Sequence, residues 1–229
     1  NPRSGDEFID AVNLIGYVEG EISPDRYIVV TAHYDHLGMD GDEIYNGADD
    51  NASGTSALLA AAEFFSDNRP ENSIVFIALD AEEQGLGGAR WFVDNPVVPL
   101  SRIVMNVNMD MISANFENEI FAAGASHYPY LEPIVEAVVV NSDVNVKFGY
   151  DSDEWPQDWT LASDHGPFHE KGIPFIYFGV VDHPNYHQTT DTFENINPDF
   201  FVDASEMIVR VIEALDLNLE TVAEESGRF

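Results

Sequence analysis

The chain has 229 residues, 45% of them hydrophobic, enough for one large domain with a sizeable core or at most two small ones. Forty-two Asp and Glu stand against nine Lys and Arg, and the formal charge of −33 argues against nucleic acid or an anionic membrane as a partner. Cysteine is absent, which excludes disulfides and thiolate metal sites, and no apolar run approaches the ~18 residues that a membrane span needs.

From the N-terminus, the chain begins at Asn1 without a methionine or a signal-like segment, so a processed product or a piece of a longer protein is expected. After the lead-in, apolar runs bounded by turn residues predict strands at 13–18, 27–32, 74–79, 103–108, 119–122 and 175–179. Helical spacing falls between them, at 53–65, 86–93, 131–140 and 200–217, the last preceded by the cap-like pair Asn197-Pro198. The acidic, aromatic stretch DSDEWPQDW (151–159) reads as a surface loop. Strands alternating with helices predict an α/β single domain, a mostly parallel central sheet with helices on both faces. The acids are scattered among apolar segments, so they form a surface and not a tail. Such a surface repels itself at low ionic strength, and a salt-adapted protein is expected.

In open α/β sheets ligands sit beyond the carboxyl ends of strands. Those positions carry His33, Asp35 and His36 after YIVVTA, and Glu82 and Glu83 after SIVFIALD. Asp110 follows IVMNVN, and His183, Tyr186 and His187 follow PFIYFGV. NGADDNASG adds Asp49 and Asp50 just before a helix. Singly each has a mundane reading: a strand-end histidine is usually hydrogen-bonded structure, and two acids before a helix suit its dipole. Asp40 and Asp42 lack the spacing of a calcium loop. His127 and His169 have no such company in the sequence and read as surface or core residues. Together, a histidine or carboxylate at the end of every major strand points to a metal centre, suited to zinc and less specifically to cobalt or manganese.

HYDHLG, GADDNASG, DAEEQGLGG, NMDM, SDHGPF and YHQTTDT, in this order, resemble the M28 family of di-zinc peptidases, which include secreted bacterial aminopeptidases. The resemblance implies a mixed sheet of about eight strands, two Zn2+ per chain (Co2+ or Mn2+ as substitutes), peptide substrates and a secreted or periplasmic protein. His33 and Asp110 would then hold one zinc, Glu83 and His187 the other, and an aspartate of GADDNASG would bridge them. Alignment on the end of that motif makes the bridge Asp50, with Asp49 as the fallback. Glu82 would be the general base, Asp35 would orient His33, Tyr186 would help stabilise the oxyanion, and Asp164 would support the site. The family core usually carries more chain before the strand ending at His33 than the short lead-in here. Tyr150, Trp155, Trp159, Tyr177 and Phe178 would line a pocket for a large apolar side chain. Among relatives, a glutaminyl cyclase works with one zinc, and a carboxypeptidase for acidic dipeptides would need cationic groups, which are scarce here, the sequence leaving Arg90 and Arg102 unplaced. Relatives that serve as receptor ectodomains have lost their ligands. Here no ligand position is vacant.

Overall fold

A computed structural model describes residues 10–228; the first nine residues of the lead-in and Phe229 lie outside them. The strands are β1 (Leu14–Val18), β2 (Ser23–His33), β3 (Gly38–Asp40), β4 (Glu43–Tyr45), β5 (Asn72–Leu79), β6 (Ile103–Met109), β7 (Glu119–Ala123), β8 (Asn145–Phe148) and β9 (Phe175–Gly179). The helices are α1 (Gly54–Asp67), α2 (Gly87–Asp94), α3 (Glu132–Val139), α4 (His165–Glu170), α5 (Pro198–Leu217) and α6 (Leu219–Ser226). Among the described residues seven strands make the main sheet, in the order β1-β5-β2-β6-β9-β7-β8, and β3 and β4 form a separate hairpin. This agrees with the expected mixed, mostly parallel sheet of about eight strands.

The centre of the sheet is parallel: β5, β2, β6 and β9 all run the same way. Only β1 on β5 and β7 on β9 are antiparallel. Strands buried on both faces should be continuously apolar, and β5 and β6 are buried at every residue. Alternate side chains divide between two cores. Ile28, Val30, Ile74 and Phe76 pack with α1, α3, α5 and α6, while Val29, Val75, Ile77 and Leu79 pack with Phe92 of α2 and Phe168 of α4. Helices thus cover both faces, as the strand–helix alternation predicts. Because four neighbouring strands run in parallel, their carboxyl ends emerge along one edge. Four separate segments of sequence are brought together there.

Candidate metal centre

Beyond β5 and β6, and again at His187, the backbone turns sharply where polar side chains are presented. Ala81 (φ 57°), Leu86 (φ 62°), Met111 (φ 59°) and His187 (φ 55°) take the left-handed conformation that non-glycine residues rarely adopt. Each lies within four residues of Glu82, Asp110 or His187, or is one of them, and strain of this kind clusters at functional sites.

Asp50 stands at the middle. Its Oδ1 lies 3.3 Å from His33 Nε2, and its Oδ2 lies 3.0 Å from His187 Nε2. On the first side, His33 Nε2 is 3.1 Å from Asp110 Oδ1. On the second, Glu83 Oε2 is 3.4 Å from His187 Nε2 and Glu83 Oε1 is 2.8 Å from His36 Nδ1. Two groups have donor atoms close enough for one cation each: His33, Glu82 and Asp110, and His36, Asp50 and Glu83. All five residues expected as ligands therefore converge. Glu82 joins the first group, and His36, which the sequence reading quotes but leaves unassigned, joins the second.

The loop of the GADDNASG motif is fixed to the end of β6. Asn51 Nδ2 donates to the Met109 carbonyl, and Asn51 Oδ1 accepts from the backbone N–H groups of Gly54 and Met111. A Cβ on Gly54 would lie 2.4 Å from the Met109 oxygen, so only glycine lets α1 start this close to the strand. Asp191 accepts from the backbone N–H groups of both Asp49 and Asp50.

Asp49 points away from the cluster. Its Oδ1 accepts from Ser113 N, Ser113 Oγ and Ala114 N, and its Oδ2 faces His183 Nε2 at 2.9 Å. Asp35 has two tasks. Its carboxylate accepts from the backbone N–H groups of Glu82 (3.0 Å) and Glu83 (3.3 Å), and one oxygen lies 3.7 Å from His33 Nδ1. The His33 Nδ1–H itself can donate to the Asp35 backbone carbonyl at 3.1 Å. Such a partner fixes which ring nitrogen of His33 faces the site.

The electrostatics follow from crowding carboxylates out of water. Burial pushes the Glu82 carboxyl up to about 9, helped by the negative charges of Asp110, Asp164 and Glu83. Burial also drives Asp164 up to about 7, and neither of its oxygens has a hydrogen-bond partner. For Asp50 burial acts upward too, but the imidazoles of His187, His33 and His36 outweigh it and hold the carboxyl well below the usual range. Contacts with Asp50 and Glu83 raise His187 to about 10.

Beside the cluster lies a cavity of about 460 Å³. Trp159, Tyr177, Met111, Leu161 and Val180 give it an apolar wall, and Tyr186, stacked on the His187 ring at 3.9 Å, borders it. Tyr150 stacks behind Trp159, and Trp155 behind Tyr150. Phe178 is a correction to the expected lining. It is fully buried in the core under α5, because alternate residues of β9 face opposite ways. Residues 151–159 do form a loop, yet Asp151 is buried and accepts from Gly124 and Ser126, fixing the aromatic stack to the end of β7. Arg90 lines the cavity and is paired with Glu170 at 3.0 Å, whereas Arg102 pairs with Asp25 at the opposite, amino edge of the sheet. His127 and His169 do have company in space: their rings lie 4.8 Å apart, bonded to Thr160 and Tyr128.

These features define a class of protein, an α/β fold with a histidine–carboxylate centre on the carboxyl edge of its sheet. The chain belongs to peptidase family M28, whose family model matches residues 13–212. It is 32% identical over 213 residues to the aminopeptidase YwaD of Bacillus subtilis, covering 87% of this chain and 44% of that protein. It is 30% identical to a glutamate carboxypeptidase 2 homolog of Caenorhabditis briggsae, covering 81% of this chain and 27% of that one. Among solved structures, the zinc aminopeptidase BSAP of Bacillus subtilis superposes with a TM-score of 0.72 at 27% identity, over 87% of this chain and 49% of BSAP. The chain thus spans less than half the length of these relatives.

Proposed function

We propose that the chain is the catalytic part of a zinc-dependent aminopeptidase that releases N-terminal amino acids from peptides. Two zinc ions would be held by His33 and Asp110 on one side and Glu83 and His187 on the other, with Asp50 shared. The observation that carries this reading is the divided carboxylate of Asp50, one oxygen toward His33 and the other toward His187. The donor chemistry fits. Asp50, Glu82, Glu83, Asp110 and Asp164 crowd together, and among the described residues the one Lys or Arg lining the cavity, Arg90, is paired with Glu170. Like charges in so small a space need cations between them. Imidazole and carboxylate without thiolate suit zinc, with cobalt or manganese as substitutes.

When bound, the ions polarise the scissile carbonyl and make the attacking water acidic. The chain's own residues do the rest. The positive charge of bound ions would offset the burial that raises Glu82 and leave it ionised, so that it takes the proton of the attacking water and hands it to the leaving amine. Asp35 holds the backbone of Glu82 and Glu83 in place and steadies His33. Burial keeps the Tyr186 phenol protonated far above neutral pH, so it serves as a hydrogen-bond donor to the developing oxyanion. Trp159, Tyr177, Met111 and Val180 receive an apolar side chain of the substrate.

A carboxypeptidase for acidic substrates is disfavoured because, among the described residues, the cavity is lined by Asp50, Glu82, Glu83, Asp110 and Asp182 against a single Lys or Arg, Arg90. A single-zinc cyclase is disfavoured because donors are furnished on both sides of Asp50. The test is hydrolysis of leucine p-nitroanilide with and without chelator. Hydrolysis should disappear on chelation and return with zinc, and the purified protein should hold about two zinc ions per chain. Activity that survives exhaustive chelation, or a single zinc with pyroglutamate formation, would overturn the reading.

A further inference from the structure

The ring nitrogens of His36 are buried beside the cluster, and neither has a hydrogen-bond partner. A buried polar atom left unpaired is costly, so an unpaired imidazole among carboxylates calls for a partner. The ring is held in place. A Cβ on Gly47 (φ 64°) would lie 2.7 Å from His36 Cγ, and the His187 ring meets it edge-on at 5.8 Å. His36 Nδ1 is 2.8 Å from Glu83 Oε1, yet that oxygen too makes no hydrogen bond. The two atoms are close without being aligned on each other, as donors are when both aim at a common point. Nδ1 is also 3.7 Å from Asp50 Oδ2, the oxygen that faces His187. Donors about 2.0–2.1 Å from a tetrahedral zinc lie roughly 3.3 Å from one another. The separations around this point, 2.8, 3.0, 3.4 and 3.7 Å, bracket that value.

We infer that His36 is a further ligand of the ion assigned to Glu83, His187 and Asp50. This rests on the two-zinc reading above and goes beyond it, because it makes the two positions unequal. One has four protein donors and the other three, His33, Asp110 and a shared Asp50, so the first is the better furnished. The four-donor position should fill first and empty last.

The experiment is a zinc titration of metal-free protein against a competing chelator, comparing the full chain with His36→Ala and His36→Asn. Circular dichroism melting of each metal-free protein identifies a variant that has failed to fold; the other then carries the test. The unsubstituted chain should bind zinc in two unequal steps. Both variants should weaken the tighter step at least 10-fold, the scale on which even indirect ligand partners act, and leave the other step unchanged. Loading with Co2+ supplies a second readout: the visible absorption should change on losing an imidazole donor. Two unaltered steps in the variants would overturn the inference while leaving the peptidase reading intact. A weakened step with an unaltered cobalt spectrum would also overturn it, since His36 would then act only by contact with Glu83. Absence of zinc binding by the unsubstituted chain would overturn both.

Discussion

Asp49 and Asp50 are neighbours of identical chemistry with opposite surroundings. Asp50 has imidazoles on both sides, whereas Asp49 is fully buried under three donors from Ser113 and Ala114 and the ring of His183. Asp50→Asn should therefore lose zinc with little change in the melting point of the metal-free protein. Asp49→Asn should do the reverse: the amide oxygen can keep the three donors, but an NH2 group replaces the carboxylate oxygen that faces His183 Nε2 and the buried contact is lost. At about 1–3 kcal/mol for each unsatisfied group, and about 2–4 °C per kcal/mol for a chain of this size, a fall of roughly 5–10 °C is expected. Zinc content and melting point of the two variants, measured together, decide it; equal zinc loss in both would mean the wrong aspartate bridges. Asp164 makes a pH prediction. Its carboxyl is raised to about 7 by burial, above the ~3.9 of an unfolded chain. A raised acid contributes its stability below the unfolded value and loses it as pH rises through the folded one. In metal-free protein, Asp164→Asn should thus raise the melting point at pH 8 and lose that advantage by about pH 4. A difference that does not vary over that range would contradict the assignment.

At the scale of elements, α5 begins as its sequence requires. Asn197 accepts from the Phe200 N–H, Pro198 occupies the first turn, and the Asn197 amide also reaches the Asn115 carbonyl. Loss of such a cap costs about 1–2 kcal/mol, so Asn197→Ala should melt roughly 2–8 °C lower with zinc content unaltered. An unshifted melting point would show the cap to be idle. Pattern reading succeeds where burial is complete. The runs in β2, β5, β6 and β9 are long and apolar, so their carboxyl ends, and with them His33, Glu82, Glu83 and Asp110, stand out in the sequence. It fails at the margins. β8 (NVKF) is a half-exposed edge strand with no apolar run, α4 has six residues, and α6 follows α5 with only Asn218 between. His36 was equally hard to place, because HYDH offers two histidines and nothing in the spacing says that the loop after β2 folds back onto Glu83. The choice between Asp49 and Asp50 needs the backbone of residues 48–53, where Asp50 and Asn51 leave helical geometry.

At the scale of the molecule, charge dominates. The five ion pairs made by Lys147, Lys171, Arg26, Arg90 and Arg102 are all exposed on at least one side and worth little. The −33 is what remains after every Lys and Arg has been counted, so these pairs offset none of it. Among the described residues no helix is long and apolar enough to cross a membrane. Read as salt adaptation, this surface should gain stability as screening shortens the reach of repulsion from about 30 Å at 0.01 M to about 3 Å at 1 M. Melting in 10 mM and in 1 M sodium chloride should differ by several degrees in favour of salt, and a melting point indifferent to salt would contradict it.

In the proposed mechanism adjacent glutamates do different work, Glu83 holding an ion and Glu82 moving a proton. The measurement that reaches it most directly is zinc content beside kcat for Glu82→Gln and Glu83→Gln. Glu82→Gln should keep both ions and lose at least the ~10²–10⁴-fold that a general base contributes, with no rescue by added zinc. Glu83→Gln should lose zinc and activity together, partly restored by excess zinc. Zinc lost from Glu82→Gln and kept by Glu83→Gln would reverse the two roles, and full activity in both would contradict the two-metal account.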